Sequence, residues 1–252
     1  MTLSTRVAFF SQDQLELMKA RVFEMLEQRG VKMDHPEVLS LMDNAGATVD
    51  FDSKNVCFAK DFLEAQISQA PTKITLMGRN GANGVKIPRD DGTFYTRTNT
   101  GAQSWIDLES GKYRRITASD VVDWARLADR LEEISICAFP VPGDVPTATP
   151  DVHALNLMLQ NVEKHVWVQP YTQESVDYLI NLAIAAAGGE QALRVTPLVS
   201  FITCSLTPLE FKCMDLDIIL KCARNGIPLH ACSLPGAGAT APITVPGVVL
   251  LS

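Results

Sequence analysis

This sequence predicts an α/β fold: part of a TIM-type (β/α) barrel preceded by an amino-terminal α+β segment. Three observations predict it. Apolar runs begin near residues 134, 166, 197 and 227, a spacing of roughly 31 residues that matches one βα unit. Helix-start signals separate them: Thr117-Ala-Ser-Asp120, Thr149-Pro150, Thr172 and Thr207-Pro208-Leu209-Glu210. The last run, Ile227 to Ala231, feeds a small-residue loop that carries Gly236, Gly238 and Thr240. Such loops at the carboxyl ends of parallel strands are where α/β sheets and barrels hold ligands.

The elements follow in order. Ser11-Gln-Asp-Gln14 is a capping box, and Leu15, Met18, Val22, Met25 and Leu26 then recur at helical spacing up to Gly30. A second helix is expected from Pro36 to about Asn44. Thr48 to Phe51 and Val56 to Phe58 flank a turn at Asp52-Ser-Lys-Asn55, and a third helix runs from Lys60 to Gln69, before Pro71. Residues 73 to 116 read as short strands broken by glycine-rich turns, so 1–116 forms the α+β segment. Residues 117–252 then read as the first half of a barrel. A helix begins at Thr117 and a strand at Ile134. The next pairs start at Thr149 and Val166, Thr172 and Pro197, and Thr207 and Ile227. The helix expected after Thr244 or Pro246 runs for only about two turns, which reads as part of something larger.

Parallel strands require crossovers of a dozen or more residues, and two closures satisfy that rule. A doubly wound sheet is disfavoured, because no Gly-x-Gly-x-x-Gly follows the first strand and Gly236-Ala-Gly238 lacks the third glycine. Half of a barrel fits the number of units. Its open strand edges predict a homo-oligomer.

Composition narrows the function. A net charge of −7 in 252 residues excludes a typical nucleic-acid binder, which needs a basic face. No run of eighteen apolar residues is present, and Asp13, Glu16, Lys19, Arg21 and Glu24 interrupt the first thirty. No membrane span or signal peptide is therefore expected, and the cytoplasm is the expected location. The six cysteines form no Cys-x-x-Cys pair and read as buried thiols in a reducing compartment.

Candidate substrate-binding residues sit where strands end. Asp144 lies in a proline-stiffened loop; a solvated loop aspartate is its plainer reading. Gln169 and Tyr171 follow the second barrel strand. Trp167 beside them, and Trp105 earlier, offer aromatic faces able to attract a cation, although core packing is the plainer role of a tryptophan. Cys204 and Ser205 end the third strand, where a helix-capping hydroxyl is the competing role. Gly238 and Thr240 complete the set. His230 and Cys232 share one strand face and form the best metal pair, two ligands short of a zinc site. Catalytic residues are not indicated.

Within 197–244, the pieces Pro197-Leu198, Cys204-Ser-Leu-Thr-Pro208-Leu209, Asp215, Gly226-Ile-Pro228 and Pro235-Gly-Ala-Gly-Ala-Thr-Ala-Pro242-Ile-Thr244 stand in order. In these pieces the chain resembles the trimethylamine methyltransferase family of corrinoid-dependent enzymes. Earlier echoes are Gly46-Ala47, Val49-Asp50, Ala70-Pro71, Gly78-Arg79, Thr117-x-x-Asp120, Asp144-Val-Pro146, His153 and Asn161-x-x-Lys164. The resemblance implies a barrel of nearly twice this length. It also implies methyl transfer from a methylated amine to the Co(I) of a corrinoid (cobalamin) on a partner protein, with no cofactor bound directly. Trimethylamine-specific members use a pyrrolysine in the second half; relatives without it act on quaternary amines such as betaines. A thiol-activating zinc methyltransferase and a barrel that only binds a small cation remain the alternatives. For a betaine, Arg97, Arg114 and Arg115 are the candidate partners of the carboxylate.

Overall fold

The computed structural model describes residues 8–81, 84–206 and 208–251. Its first elements are α1 (Gln12–Gln28), β1 (Val31–Met33), α2 (Pro36–Ala45), β2 (Thr48–Asp50), β3 (Asn55–Cys57) and α3 (Lys60–Gln69). Two short hairpins follow, β4 (Ile74–Leu76) with β5 (Val85–Ile87), and β6 (Ser104–Ile106) with β7 (Tyr113–Arg115). Then come α4 (Ala118–Arg130), β8 (Ile136–Ala138), α5 (Pro150–Asn161), β9 (His165–Val168), α6 (Ser175–Ala187) and α7 (Glu190–Val195). The last are β10 (Val199–Ser205), β11 (Glu210–Phe211), α8 (Cys213–Asn225), β12 (Leu229–Ser233) and α9 (Val245–Leu250). No helix among the described residues is long and apolar enough to cross a membrane.

Two compact units are present. The first contains the described residues of Met1–Thr72, Cys204–Asp217 and Ala231–Ser252. Its α1 starts on the expected capping box: Ser11 Oγ accepts from the Gln14 N–H, and Gln14 Oε1 accepts from the Ser11 N–H. Gly30 has a positive φ of 69°, and a Cβ there would stand 2.5 Å from the Val56 carbonyl oxygen, so only glycine fits. The sheet of this unit has the order β11-β1-β3-β2, with β1–β3 and β2–β3 antiparallel and β1–β11 parallel.

That parallel pair corrects one expectation. Thr207 lies outside the described residues, but Glu210 does not sit in the first turn of a helix. It lies in β11 opposite Lys32, and α8 begins only at Cys213. The Lys32 N–H donates to Leu209 O at 3.0 Å and the Asp34 N–H to Phe211 O at 3.1 Å. Tertiary pairing outcompetes the local capping pattern here.

The second unit contains Lys73–Thr203 and Ile218–His230. The four-stranded sheet runs β12-β10-β9-β8, in chain order without reversal, and β8–β9 and β9–β10 are parallel. Helices alternate with these strands as expected, and α5 packs against both α4 and α6. The box at Thr117 is present, with Asp120 accepting from the Thr117 N–H at 2.8 Å and from two nitrogens of Arg114. Lys164 Nζ closes the other end of α4 by donating to the Ala128 and Leu131 carbonyls.

One parallel segment went unpredicted. Residues 96–102 run along β8, with Arg97 bridged to Ile136 and the Ser135 and Ile136 N–H groups donating to Thr96 O. Thr98 Oγ1 accepts from the Ala138 N–H and donates to the Ala138 carbonyl, and Thr100 Oγ1 donates to Phe139 O. Side chains thus make part of this ladder.

His165 opens β9 and is fully buried. Its Nδ1 lies 2.9 Å from Met77 O and its Nε2 2.9 Å from Ser200 Oγ. A carbonyl only accepts, so Nδ1 carries the proton and Nε2 accepts from the serine hydroxyl. Burial pushes the imidazole down to about 4 from 6.5. Between these values the unfolded chain takes up a proton that the native one refuses, so stability falls as the pH drops through that window. In urea melts from pH 7.5 to 4.5, His165→Asn should be less stable at neutral pH by about 1–3 kcal/mol, through the orphaned serine and carbonyl. It should also flatten the acid limb; an unchanged limb would show that His165 does not control it.

Candidate functional site

A cavity of about 510 Å³ lies within the second unit. Leu76 and Tyr95 line it, together with Arg97, Trp167, Ser200 and His230 from the parallel segments. The Arg97 guanidinium stands 4.0 Å from the centre of the Trp167 ring, and the His230 ring lies 6.0 Å from it, tilted. Arg97 donates to the Thr98 carbonyl. Among the described residues no carboxylate lies within ion-pair distance of it. Burial lowers the Arg97 pKa, and burial followed by the Arg97 charge lowers that of His230. The cavity is therefore a largely apolar space edged by two exposed cations: Arg89, stacked on Tyr95 and paired with Asp91, and Arg97, which has no counter-charge among the described residues. This chemistry suits an anionic group.

Trp167 was read as a face for a substrate cation. The structure gives the face above that ring to the chain's own Arg97, which repels a second cation there. Of the three arginines weighed for a carboxylate, Arg114 is engaged by Asp120 and Asp107, whereas Arg97 faces the cavity.

The other predicted residues of this unit have the following places. Trp105, on β6, meets Trp124 edge-on with centroids 6.5 Å apart. Asp144 Oδ1 accepts from the Ala118 N–H at 2.8 Å, so the carboxylate sits at the amino terminus of α4 and complements its dipole. Gln169 is half-buried directly after β9. The Tyr171 N–H donates to Asp151, a fully buried carboxylate that also accepts from Ser175 Oγ at 2.6 Å. The Tyr171 hydroxyl is buried and makes no hydrogen bond of good geometry. Thr100 lies beside it but commits its own proton to Phe139.

In the first unit, Cys204 and Ser205 end β10, both half-buried. The Cys204 N–H donates to Asp215 Oδ1, and the Lys212 N–H donates to the other oxygen of the same carboxylate. The Cys204 thiol is pushed up to about 11 by burial, by its contact with Cys232 and by the charge of Asp215. Gly238 takes a φ of 79° inside a self-bonded turn, and Thr240 Oγ1 accepts from the Gly236 N–H at 2.8 Å. Thr240 thus holds its own loop. His230 and Cys232 gain no third ligand: the described residues contain no group of three or more His, Cys, Asp or Glu side chains placed to hold a metal ion.

Asp144 and Gln169 thus fall in one unit and Cys204 and Thr240 in the other. Sequence reasoning read residues 73 to 116 as short strands but did not place the 96–102 segment beside β8, and so missed the cavity. Thr96, Thr98 and Thr100 alternate as β-formers, and that period of two was the available signal.

Comparison with known proteins adds the following. Residues 2–252 match the family model described as trimethylamine methyltransferase (MTTB). Trimethylamine methyltransferase MttB of Desulfitobacterium hafniense (strain DSM 10664 / DCB-2) is 31% identical over 246 residues, covering 97% of this chain and 49% of that protein. Glycine betaine methyltransferase of Desulfitobacterium hafniense (strain Y51) is 25% identical, covering 96% and 50%. The crystal structure of Methanosarcina barkeri monomethylamine methyltransferase (MtmB) superposes with a TM-score of 0.60 at 15% identity, covering 96% of this chain and 49% of that one. At that identity the likeness shows the fold. The chain spans about half the length of the curated relatives it matches.

The Tyr171 hydroxyl separates a binding role from a structural one. A buried hydroxyl without a partner contributes nothing that phenylalanine lacks, so Tyr171→Phe should keep the melting temperature of the parent or raise it slightly. A loss of amine binding at unchanged melting temperature would assign the hydroxyl to the ligand. A drop worth more than about 1 kcal/mol would show that it is bonded within the protein.

Proposed function

Because this chain belongs to the trimethylamine methyltransferase family, we propose that the whole protein moves a methyl group from a methylated amine to the Co(I) of a corrinoid carried by a partner protein. The observation that carries this reading is the alignment of nearly the entire chain with curated amine methyltransferases. The unreversed parallel strand order and the likeness to a methylamine methyltransferase fold support a second element of the reading, that the sheet is part of a TIM-type barrel.

Among amines, we favour the quaternary, betaine class. A quaternary nitrogen has no lone pair and already carries a neutral tertiary amine as leaving group. It needs neither a proton donor nor a Lewis acid on nitrogen. Its site has to recognise the cation and hold the methyl group in line with the incoming nucleophile. Co(I) on the partner supplies that nucleophile. A betaine also brings a carboxylate, and Arg97 is a cation at the cavity, over the Trp167 ring, without a counter-charge among the described residues.

The test mixes full-length protein with a Co(I) corrinoid protein and follows Co(I) absorbance. Glycine betaine should discharge the signal faster than trimethylamine. Arg97→Met should weaken betaine binding by roughly 2–5 kcal/mol while sparing carboxylate-free quaternary amines. An equal loss on both would remove Arg97 from substrate recognition. Amine binding without any change in Co(I) absorbance would overturn methyl transfer itself.

A further inference from the structure

We propose that Cys204 and Cys232 form a reversible dithiol–disulfide pair at the carboxyl ends of β10 and β12. The backbone gives the register. The Val166 N–H donates to Leu198 O where Val166 is paired with Val199. The Phe201 N–H donates in the same way to Pro228 O, which pairs Phe201 with Leu229. Three residues further along both neighbouring strands, Cys204 stands opposite Cys232. Opposed residues of parallel strands project from the same face, and the thiols interact directly. Both cysteines are half-buried rather than sealed in the core, unlike Cys137 and Cys222.

Neighbouring strands lie about 4.8 Å apart, whereas the Cβ atoms of a disulfide approach to about 3.8 Å. A small closing movement of two strand ends therefore makes the bond. The intermediate burial of both cysteines leaves that bond open to reduction by a small thiol. The co-reactant is a low-molecular-weight disulfide. The Cys232 thiolate attacks one of its sulfurs, the S–S bond breaks, and one small thiolate leaves and takes up a proton. Cys204 then releases its proton to solvent and attacks the Cys232 sulfur, expelling the second small thiolate, which takes up a proton. Two protein thiols are oxidised and one small disulfide is reduced to two thiols. The bond then tethers the strand ends that lead on to β11 and to the 234–244 loop. This inference does not depend on the proposed methyl transfer.

The experiment incubates full-length protein anaerobically with glutathione disulfide, alkylates the remaining thiols, and maps peptides by mass spectrometry. The expected product joins the Cys204 and Cys232 peptides, lowers the intact mass by two hydrogens, and returns to two thiols with dithiothreitol. In Cys204→Ser, the reaction should stop at a glutathione adduct on Cys232. Recovery of both cysteines alkylated, or each carrying its own glutathione, from native wild-type protein would overturn the pair. The wild-type measurement decides the matter even where a serine variant folds poorly.

Discussion

Parallel pairing is the constraint on which this structure depends. A parallel strand cannot return through a tight turn, so each partner stands a full crossover away and a helix fills each gap. The long connections between β8, β9, β10 and β12 carry α5, α6 and α8 for this reason. Each helix end then has to be satisfied locally. Thr117 and Asp120 serve the start of α4, Asp144 adds an acceptor there, and Lys164 closes its last carbonyls. His165 binds the sheet interior to the Met77 carbonyl and to Ser200. Burial keeps that histidine neutral, which lets it donate on one side and accept on the other.

The parts legible in the sequence were those fixed by neighbours along the chain. The capping boxes at Ser11 and Thr117, the proline opening α5, and the glycine that ends α2 all act within one turn. Two features escaped because distant backbone decides them. The 96–102 segment pairs with β8 partly through threonine hydroxyls, so it carries only a weak ladder and no apolar run. Thr207 to Glu210 looks like a helix start, yet β1 recruits Glu210 and Phe211 as a strand. Leu209 accepts a φ of 51° to reach that position, a local cost that the paired backbone groups offset.

For the candidate site, the sequence located residue types and family motifs but not their partners. Several motif residues turn out to hold backbone. Asp144 receives the Ala118 N–H, Asp215 receives the Cys204 N–H, and Thr240 receives the Gly236 N–H. Such residues carry the fold's geometry, which explains why the motif match gave the family without a catalytic acid or base. The contact that matters most for ligand chemistry, Arg97 over Trp167, joins residues seventy positions apart. No spacing rule reaches that far.

That contact also limits how a methylated amine can be held. A guanidinium and a quaternary ammonium on one ring face lie close enough to repel each other. Trimethylamine in its charged form meets the same obstacle and brings nothing to offset it. In the proposed betaine reading, the substrate carboxylate would satisfy Arg97, while its ammonium, several bonds away, stays free to meet another surface. In that proposed reading, Arg97 favours an amine that carries its own anion, with the ammonium directed away from the ring face that Arg97 covers.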